Sequence, residues 1–196
     1  VSGDILRQAT SRALNRSASS GRTLSNSEIR RKYAISASVL QNVIRNTNST
    51  SRNLEASIRA SGAPLSWNYF NAKQETSSGT TSFNRRGVAS SRLNRRSRSN
   101  AVKGVSATIM KGKSVNLPTA FIQVANGGLT VFARGRNKGS GEGFEFSKPR
   151  LPIGNITTLS VPMMFANEDI ITPTTKRVIE VLDQRITHEI YYLLTR

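Results

Sequence analysis

Residues 120–132, AFIQVANGGLTVF, decide the fold class of this chain. Two runs rich in β-branched and aromatic residues, 120–124 and 129–132, flank a connection that contains two glycines. Short glycine-containing connections between such runs are typical of β-hairpins. The sequence therefore predicts an antiparallel hairpin at about 120–133, which belongs to a small sheet.

Further strand patterns lie on both sides of this hairpin. Apolar and polar residues alternate from Leu54 to Ala60 and again from Val105 to Ile109, which predicts two more strands. The stretch from Leu151 to Phe165 is punctuated by prolines, so we expect irregular structure there.

Helical periodicity appears at the N-terminal end. Apolar residues spaced by three or four positions from Ile5 to Leu14 predict a helix that ends in a Ser/Gly-rich break at 17–21. Between Glu28 and Arg45 the pattern predicts a helix, a short turn and a second helix. Ser25 or Ser27 is the expected N-cap of the first and Ser36 that of the second.

The C-terminal helix is the clearest in the sequence, and we expect it to run from Thr174 to Leu194, just after Pro173. Its apolar stripe comprises Val178, Ile179, Leu182, Ile186, Ile190 and Leu193. We expect this helix to pack on the sheet, with Leu182 and Ile186 buried. Helices, then strands, then a helix indicate an α+β fold. The length of 196 residues predicts one domain.

The chain is strongly basic, with 29 Lys and Arg against 11 Asp and Glu, a formal net charge of +18. Such a charge predicts association with polyanions, either nucleic acid, an acidic membrane surface or electronegative protein partners. Arginine outnumbers lysine, which favours hydrogen-bonded pairing with phosphates or carboxylates.

Part of this charge lies in residues 71–103, a low-complexity insert rich in Ser, Thr, Asn and Gly. The candidate residues for binding a polyanion or a partner are Arg85, Arg86, Arg92, Arg95, Arg96, Arg98 and Lys103. Because the segment lacks a core pattern, we expect it to be disordered in the free subunit and to gain order on assembly.

The densest aromatic cluster, Trp67, Tyr69 and Phe70, has two interpretations. These rings form either part of the core, because aromatic residues have large burial energies, or a candidate interface with a partner.

No arrangement of residues indicates an active site. The chain has no Cys, and its single histidine, His188, has no neighbouring pattern of nucleophile or metal ligands. The glycine-rich stretch 135–143 lacks the residue order of a phosphate-binding P-loop. We therefore expect no catalytic, cofactor-binding or metal-binding residues.

A sequence-tolerant nucleic-acid-binding protein is the alternative interpretation. Residues 85–103 would contact phosphates and the three aromatic rings would stack on bases. The helix pair at 28–45, flanked by Arg30, Arg31, Lys32 and Arg45, also has the outline of a helix-turn-helix reader.

Several segments, collinear over most of the chain, together resemble the minor tail protein Z family of tailed phages. They are ALNR at 13–16, IRRKY at 29–33, the arginine-rich middle, LPTAFI at 117–122, VFAR at 131–134, LPI at 151–153, SVPMMF at 160–165 and the long C-terminal helix. The chain departs from the family pattern in residues 71–103 and in the glycine-rich insert.

The resemblance implies a structural virion protein, made in the host cytoplasm, that completes the tail at its head-proximal end and enables head–tail joining. It implies other tail and neck proteins as partners, namely the tail terminator, tail tube and head-completion proteins. It also implies a homo-oligomeric ring near the DNA channel, with non-specific contact with DNA. It implies no enzymatic activity and no cofactor. No uninterrupted apolar stretch approaches the roughly 18 to 20 residues needed to cross a bilayer, so we expect no membrane association by a spanning helix.

Overall fold

A computed structural model of the chain describes residues 3–76, 79–81, 102–125, 128–137, 144–146 and 152–195. It confirms the predicted α+β fold. The chain divides into two compact units, and each is described by itself. Unit 1 comprises Val1–Arg31, Ser36–Ala63 and Ser160–Arg196, and unit 2 comprises Lys32–Ile35 and Pro64–Leu159. That the chain folds as one domain stays a prediction.

Unit 1 is mainly helical. Its elements are α1 (Gly3–Lys32), α2 (Ala37–Val43), β1 (Ile44–Thr47), β2 (Ser57–Ala60), α3 (Val161–Phe165) and α4 (Glu168–Leu194). Strands β1 and β2 form an antiparallel pair in which Ile44 lies opposite Ala60. The predicted strand at 54–60 is thus present, but only its second half is paired.

Helix α1 is continuous, so the predicted break at 17–21 is wrong. Its buried face repeats every four residues and consists mostly of small side chains: Ala9, Ala13, Ser17, Gly21, Ser25 and Ile29. The buried hydroxyls of Ser17 and Ser25 donate to carbonyls three residues earlier, at 2.9 and 3.0 Å, and so keep partners inside the helix. Ser25 and Ser27 therefore lie within α1 and are not caps.

Gly21 lies at a close contact of α1 with α4 and β2. A Cβ atom at this position would lie 2.4 Å from Val178 Cγ2 and 2.9 Å from Ile58 Cδ1. Only a residue without a side chain fits there. The low helix propensity of glycine predicts a break here, but α1 continues through Gly21, because the packing of three elements leaves no room for a side chain.

Helix α4 begins earlier than predicted and contains Pro173. Asn167 is its N-cap and accepts a hydrogen bond from the Asp169 amide at 3.2 Å. Glu168 and Asp169 lie in its first turn, where negative charge is favourable. This cap and the burial of Ile170 hold the turn that precedes the proline, although Pro173 lacks an amide hydrogen to donate.

The inner face of α4 is set by Ile170, Thr174 and Val181, which are buried. Leu182 and Ile186 are only half-buried, so the prediction that they occupy the core is wrong. The helix packs on α1 and on Ile58 of the β1–β2 sheet, because Thr174 and Val178 meet Ile58 around Gly21.

Ser36 is the N-cap of α2, as predicted, but this helix has only seven residues and ends at Val43. The chain then continues directly into β1, with Leu40 and Ile44 buried. The predicted order of helix, short turn and helix is therefore present at 28–45, but the second helix is only two turns long, and its use as a DNA-reading helix stays a prediction.

Unit 2 is mainly β-structure. It contains a short 3₁₀ helix (Trp67–Phe70) and the strands β3 (Lys73–Thr76), β4 (Gly79–Thr81), β5 (Val102–Met110), β6 (Lys113–Leu117), β7 (Ala120–Ala125), β8 (Gly128–Asn137), β9 (Phe144–Phe146) and β10 (Ile153–Asn155). One antiparallel sheet has the order β4-β3-β5-β6. The other has the order β10-β8-β7, with β9 also paired to β8.

The hairpin predicted at about 120–133 is confirmed as β7 and β8. Phe121 lies opposite Phe132, and their rings stack with centroids 6.0 Å apart. Two stretches for which the sequence predicted no regular structure contain strands or a helix. The start of the insert forms β3 and β4, where Gln74 and Thr76 are buried. The proline-rich stretch contains β10 and also α3, whose first turn is capped by Ser160.

Gln74 joins the two sheets of unit 2. Its side-chain amide donates to the Gly104 carbonyl of β5, and its carbonyl oxygen accepts from the Ile122 amide of β7 at 2.9 Å. The side chain is 2% exposed, so both hydrogen bonds lie in the interior, where an unpaired amide would be costly. A polar residue in the low-complexity region therefore belongs to the core.

Replacing Gly21 by Ala is expected to destabilise the protein by about 1 to 2 kcal/mol. Alanine gains about 1 kcal/mol in helix propensity, but the new methyl group overlaps Val178, whose β-branched side chain has one preferred helical rotamer. Urea unfolding followed by circular dichroism measures the change. Gly3→Ala in the same helix is the control, because nothing lies within 4 Å of Gly3. A Gly21→Ala protein as stable as Gly3→Ala would contradict the close contact.

Replacing Gly104 by Ala is expected to be more damaging than replacing Gly112, although both glycines have positive φ angles, 133° and 79°. A Cβ on Gly104 would lie 2.3 Å from the Leu117 carbonyl oxygen, and that backbone cannot rotate away. Open space surrounds Gly112, so Ala there costs only about 1 to 2 kcal/mol of backbone strain. Equal losses in the free energy of unfolding for the two variants would refute this explanation.

Candidate interaction surfaces

The apolar stripe predicted on the C-terminal helix is mostly half-buried, and only one of its residues, Ile179, is exposed. Ile179 is 55% exposed, and the residues that follow it at steps of three and four positions, Leu182, Ile186, Ile190 and Leu193, are half-buried. We call these five residues the outer face of α4. The inner face packs on α1, so α4 has a second apolar face that unit 1 does not cover completely.

Acidic residues are concentrated on this helix. Helix α4 has five acidic residues and three basic ones, whereas the whole chain has only 11 acidic residues and a net charge of +18. Asp183 follows Leu182 and lies beside the outer face. The outer face is therefore an apolar strip with a carboxylate border on an otherwise basic protein.

The second surface is a cleft of about 600 Å³ between α1 and the last turns of α4. We call it the basic cleft. It is lined by Arg12, Asn15, Arg16, Ser19, Asn48, Arg185, His188, Glu189 and Tyr192. Four of these residues come from α1 at spacings of three, four and seven from Arg12. Four come from α4 at the same spacings from Arg185, so one helical face of each element lines the cleft.

Four contacts lie in the walls of the basic cleft, one ion pair and three hydrogen bonds. Arg12 Nη1 lies 3.7 Å from Glu189 Oε2 and links α1 to α4. Asn15 donates to the Ser49 carbonyl at 3.0 Å and accepts from the Ser49 amide at 2.7 Å. Ser11 also donates to the Ser49 carbonyl, at 3.1 Å. The loop that contains Asn48 is therefore tied to α1 by three hydrogen bonds.

The charges in the basic cleft do not balance. Arg12, Arg16 and Arg185 face one carboxylate, that of Glu189. Since Glu189 pairs with Arg12, the guanidinium groups of Arg16 and Arg185 have no acidic partner among the residues that line the cleft. An excess of guanidinium groups in a concave site favours an anionic ligand.

The sequence contains a signal for this cleft that the prediction missed. Polar and charged residues repeat at i, i+3, i+4 and i+7 in 12–19 and again in 185–192. On one helix such a pattern usually marks a solvated face. Only the packing of α1 against α4 shows that the two faces line one cleft.

Of the residues predicted to bind a polyanion, the structure describes only Lys103. Arg85, Arg86, Arg92, Arg95, Arg96 and Arg98 lie outside the described residues, and so does the predicted order–disorder behaviour of that segment. Lys103 is described: it is exposed and lies at an irregularity of β5, where the pairing shifts between Gly104 and Val102.

The aromatic cluster is divided between the interior and the surface. Trp67 and Phe70 are 6% and 0% exposed in the 3₁₀ helix, which packs against β5 and β8. Only Tyr69, which is half-exposed, has an accessible ring. Burial leaves Trp67 and Phe70 no face on which a base or a partner could stack.

A further concavity of about 700 Å³ lies in unit 2 and is lined mainly by polar residues. Within it, Ser106 donates a hydrogen bond to Glu75, and Lys73 and Asn68 lie on its wall. Among the described residues, no three acidic or histidine side chains cluster as metal ligands. No helix in the described ranges is long and apolar enough to span a membrane.

Comparison with known proteins gives one result. The family model for prophage minor tail protein Z (GPZ) matches residues 1–196, the whole chain. Comparisons with curated proteins and with solved structures give no match. The full-length family match agrees with the collinear segments noted in the sequence. The chain therefore belongs to the prophage minor tail protein Z family, a family of phage tail proteins.

Proposed function

We propose that this tail protein is a tail-completion subunit that assembles at the head-proximal end of the phage tail and enables head–tail joining. In this role it forms a homo-oligomeric ring near the DNA channel and binds neighbouring tail and neck proteins. Its work is assembly, without catalysis. Family membership supports the placement in the tail, and the surfaces of unit 1 support the mode of assembly.

The outer face of α4 is the observation that carries this proposal. Its members from Ile179 to Leu193 follow steps of three, four, four and three residues, which is the spacing of a helix that packs on another helix. Isoleucine and leucine side chains at that spacing contribute to association when a partner removes them from water. A subunit that acted alone would gain nothing from exposing them.

The occupant of the outer face is a second copy of this chain. The border of the strip carries Asp183, and Glu180 lies on the same helix. The opposite partner must therefore be basic, and other copies of a chain with a net charge of +18 supply such surfaces. Helix α1 has exposed arginines, among them Arg7 and Arg30. Contact between unlike surfaces of adjacent copies generates a ring when the rotation closes.

A sequence-tolerant nucleic-acid-binding protein is the second candidate function, and the basic cleft is the observation that favours it. Two arginines without acidic partners in a concave site suit a polyanion. This function is compatible with a subunit near the DNA channel, since one face can bind neighbouring copies while another contacts DNA.

A reconstitution experiment tests the proposed place of action. Phage that lack this protein are expected to yield separate heads and tails. Purified protein incubated with those tails, followed by washing and addition of heads, is expected to restore joined particles and infectious titre. A tail-completion role would be contradicted if joining were restored by protein preincubated with heads only. It would also be contradicted if tails without the protein joined to heads.

The same assay tests the outer face. Ile179→Glu places a charge in the middle of the strip and is expected to abolish restoration, while its circular dichroism spectrum stays that of the parent because the site is exposed. Gln184→Glu is the matched control: it adds the same charge to an exposed position of α4 that lies off the strip. Equal activity of the two variants would exclude the outer face as an assembly surface.

A further inference from the structure

We propose that the basic cleft is a binding site for phosphate groups and that its ligand is the phosphodiester backbone of DNA. The site lies wholly in unit 1 and is separate from the arginine-rich segment 85–98. The proposal does not depend on where in the tail the subunit acts, because it concerns the chemistry of one cleft in the isolated protein.

The guanidinium groups of the basic cleft favour a phosphate ligand. Arginine presents several N–H donors in a plane and pairs with two oxygens of one phosphate, and it stays charged at any relevant pH. Arg16 on α1 and Arg185 on α4 both line the cleft and are exposed to solvent. Glu189 does not neutralise them, since its carboxylate lies beside Arg12.

The walls of the basic cleft are held together by side-chain contacts within unit 1. Asn15 uses both ends of its amide on Ser49, so it holds the loop at residue 48 in place and leaves Asn48 at the rim. The Arg12–Glu189 pair holds the last turns of α4 against α1. The backbone that carries Arg16 and Arg185 is therefore in place before a ligand arrives, so that binding has to order only their side chains.

The length of the cleft favours a polymer over a single anion. Residues 12–19 and 185–192 each span seven helical steps, or about 10 Å. One strand of DNA advances about 3.4 Å along the axis for each phosphate, so a strand that follows the cleft brings about three phosphates within reach. Contacts from guanidinium groups to phosphates carry no sequence information, so binding is expected to be tolerant of sequence.

The test measures binding of a fluorescent duplex DNA of mixed sequence to the purified full-length protein by anisotropy over a series of NaCl concentrations. The cleft variant is Arg16→Gln with Arg185→Gln. The matched control is Arg30→Gln with Arg59→Gln, which removes the same charge from two exposed positions of unit 1 outside the cleft. Thermal unfolding shows whether each variant keeps the parent fold.

The cleft variant is expected to bind about tenfold more weakly than the parent, and the slope of log affinity against log salt is expected to fall by about two. The control is expected to change affinity only slightly, through the net charge. A second variant, Arg16→Lys with Arg185→Lys, is expected to keep the parent slope because it keeps both charges. Equal weakening of the cleft and control variants would overturn the site.

Competition identifies the ligand class. Inorganic phosphate is expected to displace DNA from the parent at lower concentration than chloride does, and polyglutamate is expected to compete poorly. If polyglutamate binds the parent as tightly as DNA does, and loses affinity in the cleft variant, the ligand is an acidic protein segment and the assignment to DNA is wrong.

Discussion

The close contact of helix α1 with helix α4 at Gly21 is the constraint on which unit 1 depends. Gly21 leaves room for Val178 and Ile58 and for no side chain of its own. Two further contacts show the relative direction of the helices: Arg177 donates to Ser20 at 3.3 Å, and Arg12 lies 3.7 Å from Glu189. Residue numbers rise along one helix as they fall along the other, so α1 and α4 are antiparallel.

This contact also determines which residues of α4 are available to other molecules. Ile170, Thr174 and Val181 are used against the rest of unit 1. The apolar residues from Ile179 to Leu193 are thereby turned away from α1. Toward the N-terminus of α1 and the C-terminus of α4, polar side chains of both helices line the basic cleft. One packing contact therefore accounts for both candidate surfaces, an apolar one for assembly and a cationic one for a polyanion.

Local patterns predicted the parts of the fold that local interactions determine. The hairpin of β7 and β8 follows from alternation and a glycine connection, both contained within thirteen residues. The course of α1 could not be predicted this way, because Ser17 and Gly21 read as helix breakers until α4 supplies the surface that requires small residues. The periodicity of the apolar stripe on α4 was predicted correctly, but the stripe is not the face that packs against the rest of unit 1. Periodicity alone does not show which face of a helix is buried. The basic cleft was missed because its two halves lie about 170 positions apart.

If neighbouring copies bind through the outer face of α4, Ile179 is exposed in the free subunit and is covered by a neighbouring copy in the tail. The chain has no cysteine, so single thiols can report on single positions. The most direct measurement is the rate of maleimide labelling of Ile179→Cys and Val181→Cys, each in dilute free protein and in assembled tails. We expect the thiol at position 179 to react rapidly in the free protein and to be protected in tails. The thiol at position 181, which is buried in the subunit, is expected to be protected in both. A thiol at 179 that reacts as fast in tails as in the free protein would contradict binding through the outer face.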